Sequence, residues 1–576
     1  MCGIWAVFGL KNNLNYHCGD TFKNITQRGP DAWRIEYDNR IKNCCIGFHR
    51  LTIVDCIYGM QPMHLRQYPL NHLICNGELY NCKKLKSEFD LEYETMCDVE
   101  CILHLYKKLG SVKECVRQLD GVFAFCIVDV PNKRVVMARD PYGVRPLFRL
   151  RTKKGVLAIC SEAKGLVGIR RDLQDDQVQI EPFPPGSYAE YELKDDGSVV
   201  LLKEEVYHAP GDKPQFKPFY PYEELVPNDH FNNIRKLFTM AVKKRLMADR
   251  RIGCLLSGGL DSSLTAAVLT QVAKEANIPY KLQTFAIGMG DSPDLRAARQ
   301  VAEHIGSEHY ECIFTENDVA EVLDEVIYTL ETPDITTVRA SICMTLIAKF
   351  VKKTTDTTVL FSGEGADELA QGYIYFKNAP SAQAAYEDSI RLLREIYLFD
   401  GLRADRTISS QGLELRVPFL DLQFTNYYLS MSKELLQPKD GALEKFMLRQ
   451  AFTDTNLLPH SILWRHKEAF SDGVTSRKKC LFQILAEIVE KRLPGKFDPE
   501  MAKQTYPHCS PTTKEALYYR QQFEKNFSGC ADNFIPYYWM PRWCEVQDPS
   551  ARFIKCYSAE TETPNDVSAK DIHVEA

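Results

Sequence analysis

The second residue of the chain is a cysteine, in Met-Cys-Gly. Trimming of a methionine before a small residue would leave Cys2 as the first residue. A terminal cysteine carries a nucleophile and a base together. Its free α-amine titrates near ~7.7–8.0, close to working pH, and can take the proton of its own thiol. An ordinary cysteine near a terminus would look the same in two residues, so the weight must come from other segments.

A second constellation lies at 251–263, RIGCLLSGGLDSS. It reads as a buried strand, a glycine turn and a helix start. Glycines let backbone N–H groups approach a phosphate, and a helix N-terminus favours an anion. Ser257, Ser262 and Ser263 add hydroxyl donors. With no G-K-[ST], the loop is not a Walker A motif. Asp261 sits inside it, and a carboxylate beside phosphates calls for a cation, so magnesium is implied. SGEGADE (362–368) follows the strand pattern TVLF and forms a matching loop, in which Asp367 is the other expected magnesium ligand. A solvated glycine loop is its bland alternative.

Two kinds of element must hold these groups. Over residues 1–200, short apolar runs alternate with turns: GIWAVFG (3–9), CIGFHRLTIVD (45–55), HLICNG (72–77), GVFAFCIVDV (121–130) and RVVMARD (134–140). They are short and rich in β-branched and aromatic residues, so they predict strands, interrupted by a few helical patterns such as Asp98 to Lys108. This is an α+β domain on antiparallel sheets. Pro210, Pro214, Pro218, Pro221 and Pro227 mark a linker. After Asp229 a helix (231–246) leads into strands at 251–256, 282–289, 309–314 and 358–362. Helices through Ala297 and Ala302, through Val322 and Val326, and from Arg339 to Lys352 separate them. That alternation predicts a doubly wound parallel sheet, with added helices beyond residue 370. The boundaries expected are 2–205, a linker at 206–228, 229–552, and a loose polar tail at 553–576.

Composition excludes several classes. Of 576 residues, 45% are hydrophobic and 26% charged, ordinary for a globular protein of several domains. Lys plus Arg is 71 and Asp plus Glu 77, a net charge of −6. That balance favours neither nucleic acid nor an anionic membrane. KKRLMADRR (243–251) is basic, and a solvated helix face is the default reading. Of 20 cysteines, 12 fall within the first 160 residues and none is spaced C-x-x-C. A chain this long needs no disulfide framework, so reduced thiols and a cytoplasmic location are expected. Cys97 and Cys101, one helical turn apart, are expected in the core, and His304 and His309 as structural. No stretch is apolar enough to span a bilayer.

RGPDA (28–32), GFHRLTIVD (47–55), NGELYN (76–81) and RDPYGVRPL (139–147) accompany Cys2 in order. With them the first half resembles the class II glutamine amidotransferases, N-terminal-nucleophile enzymes that release ammonia from glutamine. The resemblance implies an Ntn-type αββα sandwich in which Cys2 attacks the side-chain amide. Asn76 and the backbone of Gly77 would form the oxyanion hole. Arg50 would pair with the α-carboxylate and Asp98 with the α-amine, beside Glu78 and the loop Leu51, Thr52, Ile53 and Val54. SGGLDS resembles the signature of the ATP pyrophosphatases.

Both halves on one chain, in this order, resemble the glutamine-hydrolysing asparagine synthetases. QTFAIGM (283–289), DSPDLRAAR (291–299), HIGSEHYE (304–311), ETPDITTVRAS (331–341), LRADRT (402–407), LELRVPFLD (413–421) and KEAFSDG (467–473) carry that likeness. It implies formation of β-aspartyl-AMP and its capture by ammonia. Leu255, Ile287, Ser362 and Gly363 would line the adenosine pocket, and Ser257, Gly258, Gly259, Asp261 and Ser262 would hold pyrophosphate. Glu364 would stand by the intermediate and take ammonia's proton. Lys467 would neutralise phosphate, with His466 beside it where proline is expected. Asp334 and Arg416 would bind aspartate, and a channel lined by small and apolar residues would carry ammonia. The partners implied are glutamine, aspartate and ATP with magnesium, no nucleic acid and no membrane; a homodimer is the assembly considered. The alternatives are a relative that acylates another acceptor and a non-catalytic glutamine or nucleotide sensor.

Overall fold

The structure is a computed structural model and describes residues 1–549 apart from 176, 439–440, 468–472, 476–478 and 547. The expected tail, the expected end of the second domain at 552 and most of KEAFSDG lie outside the described residues.

Twelve strands build two antiparallel sheets in the first half. They are β1 Gly3–Phe8, β2 Ala32–Glu36, β3 Cys44–Arg50, β4 Met63–Leu65, β5 Tyr68–Leu79, β6 Gly121–Asp129, β7 Arg134–Arg139, β8 Phe148–Arg151, β9 Leu157–Cys160, β10 Ile180–Pro182, β11 Ser187–Leu193 and β12 Val199–Val206. The first sheet runs β10-β8-β9-β1-β3-β2 and the second β12-β11-β7-β6-β5-β4. Alternate side chains point to opposite faces of a strand. Ile4, Ala6 and Phe8 of β1 therefore meet Ile74, Ala124 and Cys126 of the second sheet in one core. Trp5 and Val7 turn the other way, onto Cys18, Phe22 and Ile169. Leu73, Phe123 and Phe125 pack on the helix Cys101–Leu109. The result is helix, sheet, sheet, helix, the sandwich expected. One boundary moves: the run 45–55 is strand only to Arg50, and Leu51 and Ile53 leave it as buried loop residues.

The second half holds β13 Ile252–Leu255, β14 Gln283–Gly288, β15 Glu308–Ile313, β16 Val359–Phe361 and β17 Glu414–Arg416, all parallel, in the order β15-β14-β13-β16-β17. The chain winds outward in both directions from β13, so the switch point lies between β13 and β16. The two glycine loops leave the carboxyl ends of those two strands. β17 falls in a stretch read as helical and irregular. The connecting helices are well capped: Ser292 caps Pro293–Ile305, which ends at Gly306 with φ 70°, and Thr315 and Asp318 form a capping box on Glu316–Leu330.

Past Val206, where β12 ends, residues 207–228 contain no strand and one short 3-10 turn, Tyr222–Glu224, but Phe216 is buried, so the proline-rich segment is packed rather than loose. The halves meet through buried charges. Arg28 bonds Asp405 across them at 2.8 and 3.0 Å and Glu162 of its own half at 2.6 Å, and Arg406 bonds Glu162 across them at 3.1 Å. Lys244 reaches Asp120 across them at 2.5 Å, and beside it Arg245 is buried against Asp421 of its own half at 2.7 Å. The basic segment at 243–251 is therefore partly an internal seam and not simply a solvated face. Every described cysteine is free, and Cys97 and Cys101 are buried. His304 bonds the Asn456 carbonyl and His309 the Thr284 hydroxyl, both structural contacts. Among the described residues no helix is long and apolar enough to cross a membrane.

Candidate active site

Cys2 leads directly into β1. Its Sγ lies 3.4 Å from the Leu51 N–H and 3.5 Å from the Leu51 carbonyl, and its own carbonyl accepts from Arg28 Nε at 3.0 Å. Burial pushes the thiol up, while the chain's terminal ammonium, the Leu51 N–H and Arg50 pull it down. Met1 precedes it in the structure, its ammonium 3.2 Å from Glu414 Oε2. On β5, Asn76 is fully buried and both atoms of its amide lack a hydrogen-bond partner. Leaving such atoms unpaired costs about 1–3 kcal/mol, so the amide is held ready for a ligand. Gly77 packs so closely that a Cβ would fall 2.6 Å from the Val122 carbonyl. Arg50 donates to the Asp55 carbonyl and forms no ion pair among the described residues.

Asp98 is buried and accepts from the Leu79 N–H at 2.6 Å. Burial, opposed by that N–H, pushes its carboxyl up to about 6. Burial and the neighbouring Glu414 push Glu78 up as well. The loop after β3 is fixed from the other half: Asp249 N–H donates to the Ile53 carbonyl at 2.8 Å, and Arg250 Nε to the Thr52 carbonyl at 3.0 Å. The structure thus brings Cys2, Arg50 and the loop from Leu51 together, and gathers Glu78 and Asp98 in a neighbouring acidic cluster.

At the switch point, Leu255, Ser257, Gly259, Asp261, Ser262, Ile287, Ser362 and Gly363 line one cavity, with about 1300 Å³ of empty space including its mouth. Gly258 does not line it; with φ 77° it forms the turn, where a Cβ would fall 2.5 Å from that of Ala297. The Ser257 N–H and hydroxyl lie 3.2 and 3.0 Å from the Ser262 hydroxyl, which fixes the loop. Glu364, Asp367, His466 and Lys467 share the cavity.

The Lys445 ammonium stands between Asp261, at 2.5 Å, and Asp367, at 2.6 Å, and Lys467 also bonds Asp367. Asp261 Oδ1 is buried without a hydrogen-bond partner. Two carboxylates sharing one cation, with an oxygen to spare, suit a magnesium ion that takes its remaining ligands from water and phosphate. Arg403 grips Glu364 at 2.9 and 3.1 Å. Burial, opposed by Arg403, holds the Glu364 carboxyl above its usual range.

Asp334 and Arg416, expected to bind aspartate, sit apart from the cavity linings. Asp334 caps the helix Ile335–Thr354 and accepts from the Thr337 and Trp539 N–H groups, both at 2.9 Å. Arg416 is buried against Glu414 at 2.9 Å and Glu78 at 3.5 Å, beside the thiol site. Neither lines the nucleotide cavity or its neighbour. That second cavity shares Gly363, Glu364, Asp367, Arg403 and Lys467 with the first and adds Thr336, Thr337, Tyr373 and Asp400. Lys445, Arg403 and Arg465, which bonds the Gly258 carbonyl at 3.1 Å, were not singled out from sequence. LRADRT, which contains Arg403, was the one available signal.

A family model described as asparagine synthase matches residues 233–397 and 378–541, and one described as a glutamine amidotransferase domain matches 1–187. The Homo sapiens protein named asparagine synthetase [glutamine-hydrolyzing] is 54% identical over 563 residues, 97% of this chain and 99% of that one. The Bos taurus protein of that name is 54% identical over 565 residues and the Gallus gallus protein 53% over 563, each with the same shares covered. With a thiol at residue 2 and a buried, unpaired amide on β5 in one half and a pyrophosphate-type loop at the switch point of the other, this chain belongs to the glutamine-hydrolysing asparagine synthetase family.

Proposed function

We propose that this chain makes asparagine from aspartate and ATP with glutamine as nitrogen donor, releasing AMP, pyrophosphate and glutamate. The observation that carries the reading is the pairing, on one chain, of a thiol site with an orphaned amide and a nucleotide cavity ending at Glu364. In the first half Cys2 attacks the glutamine amide carbon, its amine taking the thiol proton once Met1 is removed. The Asn76 amide and the Gly77 N–H receive the oxyanion, an effect worth ~3–4 kcal/mol per donor. Arg50 and Asp98 hold the ends of the amino acid.

In the second half the aspartate β-carboxylate attacks the α-phosphorus. The loop Ser257–Ser262 accepts the leaving pyrophosphate, and Lys467 and Lys445 offset its charge. Magnesium, held by Asp261 and Asp367 with ATP, would lower the charge barrier to that attack. Aspartate sits where the two cavities meet, against Arg403. Ammonia then displaces AMP, and Glu364, kept basic by burial, takes its proton. A smaller cavity lined by Val144, Ile396, Ala404, Leu415 and Val417 also touches Arg145 and Glu364. Its apolar lining supports passage of neutral ammonia between the sites. We place the enzyme in the cytoplasm, as a homodimer.

Incubation with glutamine, aspartate and Mg-ATP should yield asparagine, glutamate, AMP and pyrophosphate in equal amounts; ADP and phosphate would eliminate the adenylation step. Cys2→Ala should abolish synthesis from glutamine and leave synthesis from ammonia intact, and loss of both would refute two separable sites.

A further inference from the structure

Away from both sites, the edges of the two first-half sheets are joined by a cluster the function does not use. Glu36 ends β2, the edge strand of one sheet. His64 lies in β4, the edge strand of the other, where the register shifts between Met63 and Leu65. His72 stands opposite on β5. One ligand atom from each of Glu36, His64 and His72 lies within 4.8 Å of the others. Glu36 Oε2 is 2.7 Å from His64 Nε2 and 3.6 Å from His72 Nδ1. The rings meet edge to face with centroids 4.4 Å apart.

The tautomer of His72 decides what belongs between them. Its Nε2 lies 2.9 Å from Asp38 Oδ2, and Asp38 is itself gripped by Arg40 at 2.6 and 2.7 Å. A proton on Nε2 donated to Asp38 leaves a lone pair on Nδ1. That atom is buried, has no hydrogen-bond partner, and faces a carboxylate oxygen that is also an acceptor. His72 is only 4% exposed. Two acceptors face each other there, an arrangement a cation resolves. A carboxylate behind a histidine fixes ring and tautomer in metal sites generally. Ligand atoms at ~2.0–2.1 Å from a tetrahedral ion are about 3.3 Å apart, between the 2.7 and 3.6 Å separations found here.

We propose that Glu36, His64 and His72 bind one divalent metal ion of zinc-like chemistry, with a fourth position open to water beside the exposed His64. The ion ties the edge of one sheet to the edge of the other, four residues before Asn76 on the same strand. Mixed nitrogen and oxygen donors in this number favour zinc over magnesium or calcium.

The test uses the full-length protein, stripped with chelator and titrated with Co²⁺. One equivalent should bind with visible d–d bands and no thiolate-to-metal band, and Zn²⁺ should displace it. His64→Ala should abolish that spectrum. His64 is on the surface, so the variant's thermal midpoint without metal should match the parent's. Asp38→Asn, acting through His72, should weaken binding about 10–100-fold with the spectrum unchanged in shape. Zn²⁺ should raise the thermal midpoint of the parent and not of His64→Ala. No uptake, or a thiolate-type spectrum that survives His64→Ala, would overturn the proposal, the latter placing the metal on cysteines.

Discussion

Asp98 illustrates how much a single environment sets. Its carboxyl, lifted to about 6 by burial, is neutral below that pH and charged above it. On the proposed reading it holds the α-ammonium of glutamine, which only the charged form can do. Glutaminase kcat/KM should therefore fall as pH drops through about 6, through a rising KM. Asp98→Asn should lower kcat/KM and flatten that limb, and a limb that persists in the variant would assign it elsewhere. The groups proposed to do chemistry through a local motif stood out in sequence: Cys2 because it follows the first methionine, Asp261 because it sits in a serine–glycine turn. Lys445 and Arg403 were not. A charged residue within a helical stretch reads as solvated surface, and only the fold reveals that its partners, Asp261 and Glu364, arrive from the turns that follow two other strands.

At the scale of elements, β1, β5, β6 and β7 were legible because their alternation or their continuous apolar run is long enough to stand out. β17 is three residues long and offers no period. Leu51 and Ile53 misled for a different reason: they are apolar because they pack in the core as loop residues, not because they extend β3. The loop after β13 gives an element-scale prediction. Gly258 has φ 77° and no room for a Cβ, so Gly258→Ala must shift the Ser257–Ser262 cradle. A displacement near 1 Å at a reacting centre costs about 10²-fold. Aspartate-dependent pyrophosphate release should fall by roughly that factor, read in a pyrophosphate assay, while glutamate production from glutamine is retained.

The whole molecule is joined by buried ion pairs rather than by the linker. Arg28 holds the Cys2 carbonyl with one nitrogen and Asp405 with two others, so one side chain connects the thiol site to the wall of the apolar cavity. Removing Asp405 takes two charge-assisted hydrogen bonds from Arg28 while Glu162 still pairs it, a loss of about 1.5–3 kcal/mol. Asp405→Ala should lower stability in urea by that order and raise the glutamate formed per asparagine above one, as ammonia escapes. These seams were illegible in sequence. Lys244 finds Asp120 of the other half from 124 residues away, and its neighbour Arg245 finds Asp421 of its own half from 176, so KKRL reads as surface.

The clamp of Asp249 and Arg250 on Thr52 and Ile53 has a consequence for modularity. The first half brings its own nucleophile, yet the shape of its substrate loop is borrowed from residues beyond the proline-rich connector. Cut at that connector, the amidase fragment would lose the bonds that Asp249 and Arg250 make to the loop. It is therefore not a portable cassette, and a chimera built from two such chains must take residues 249–250 and the loop they grip from the same parent.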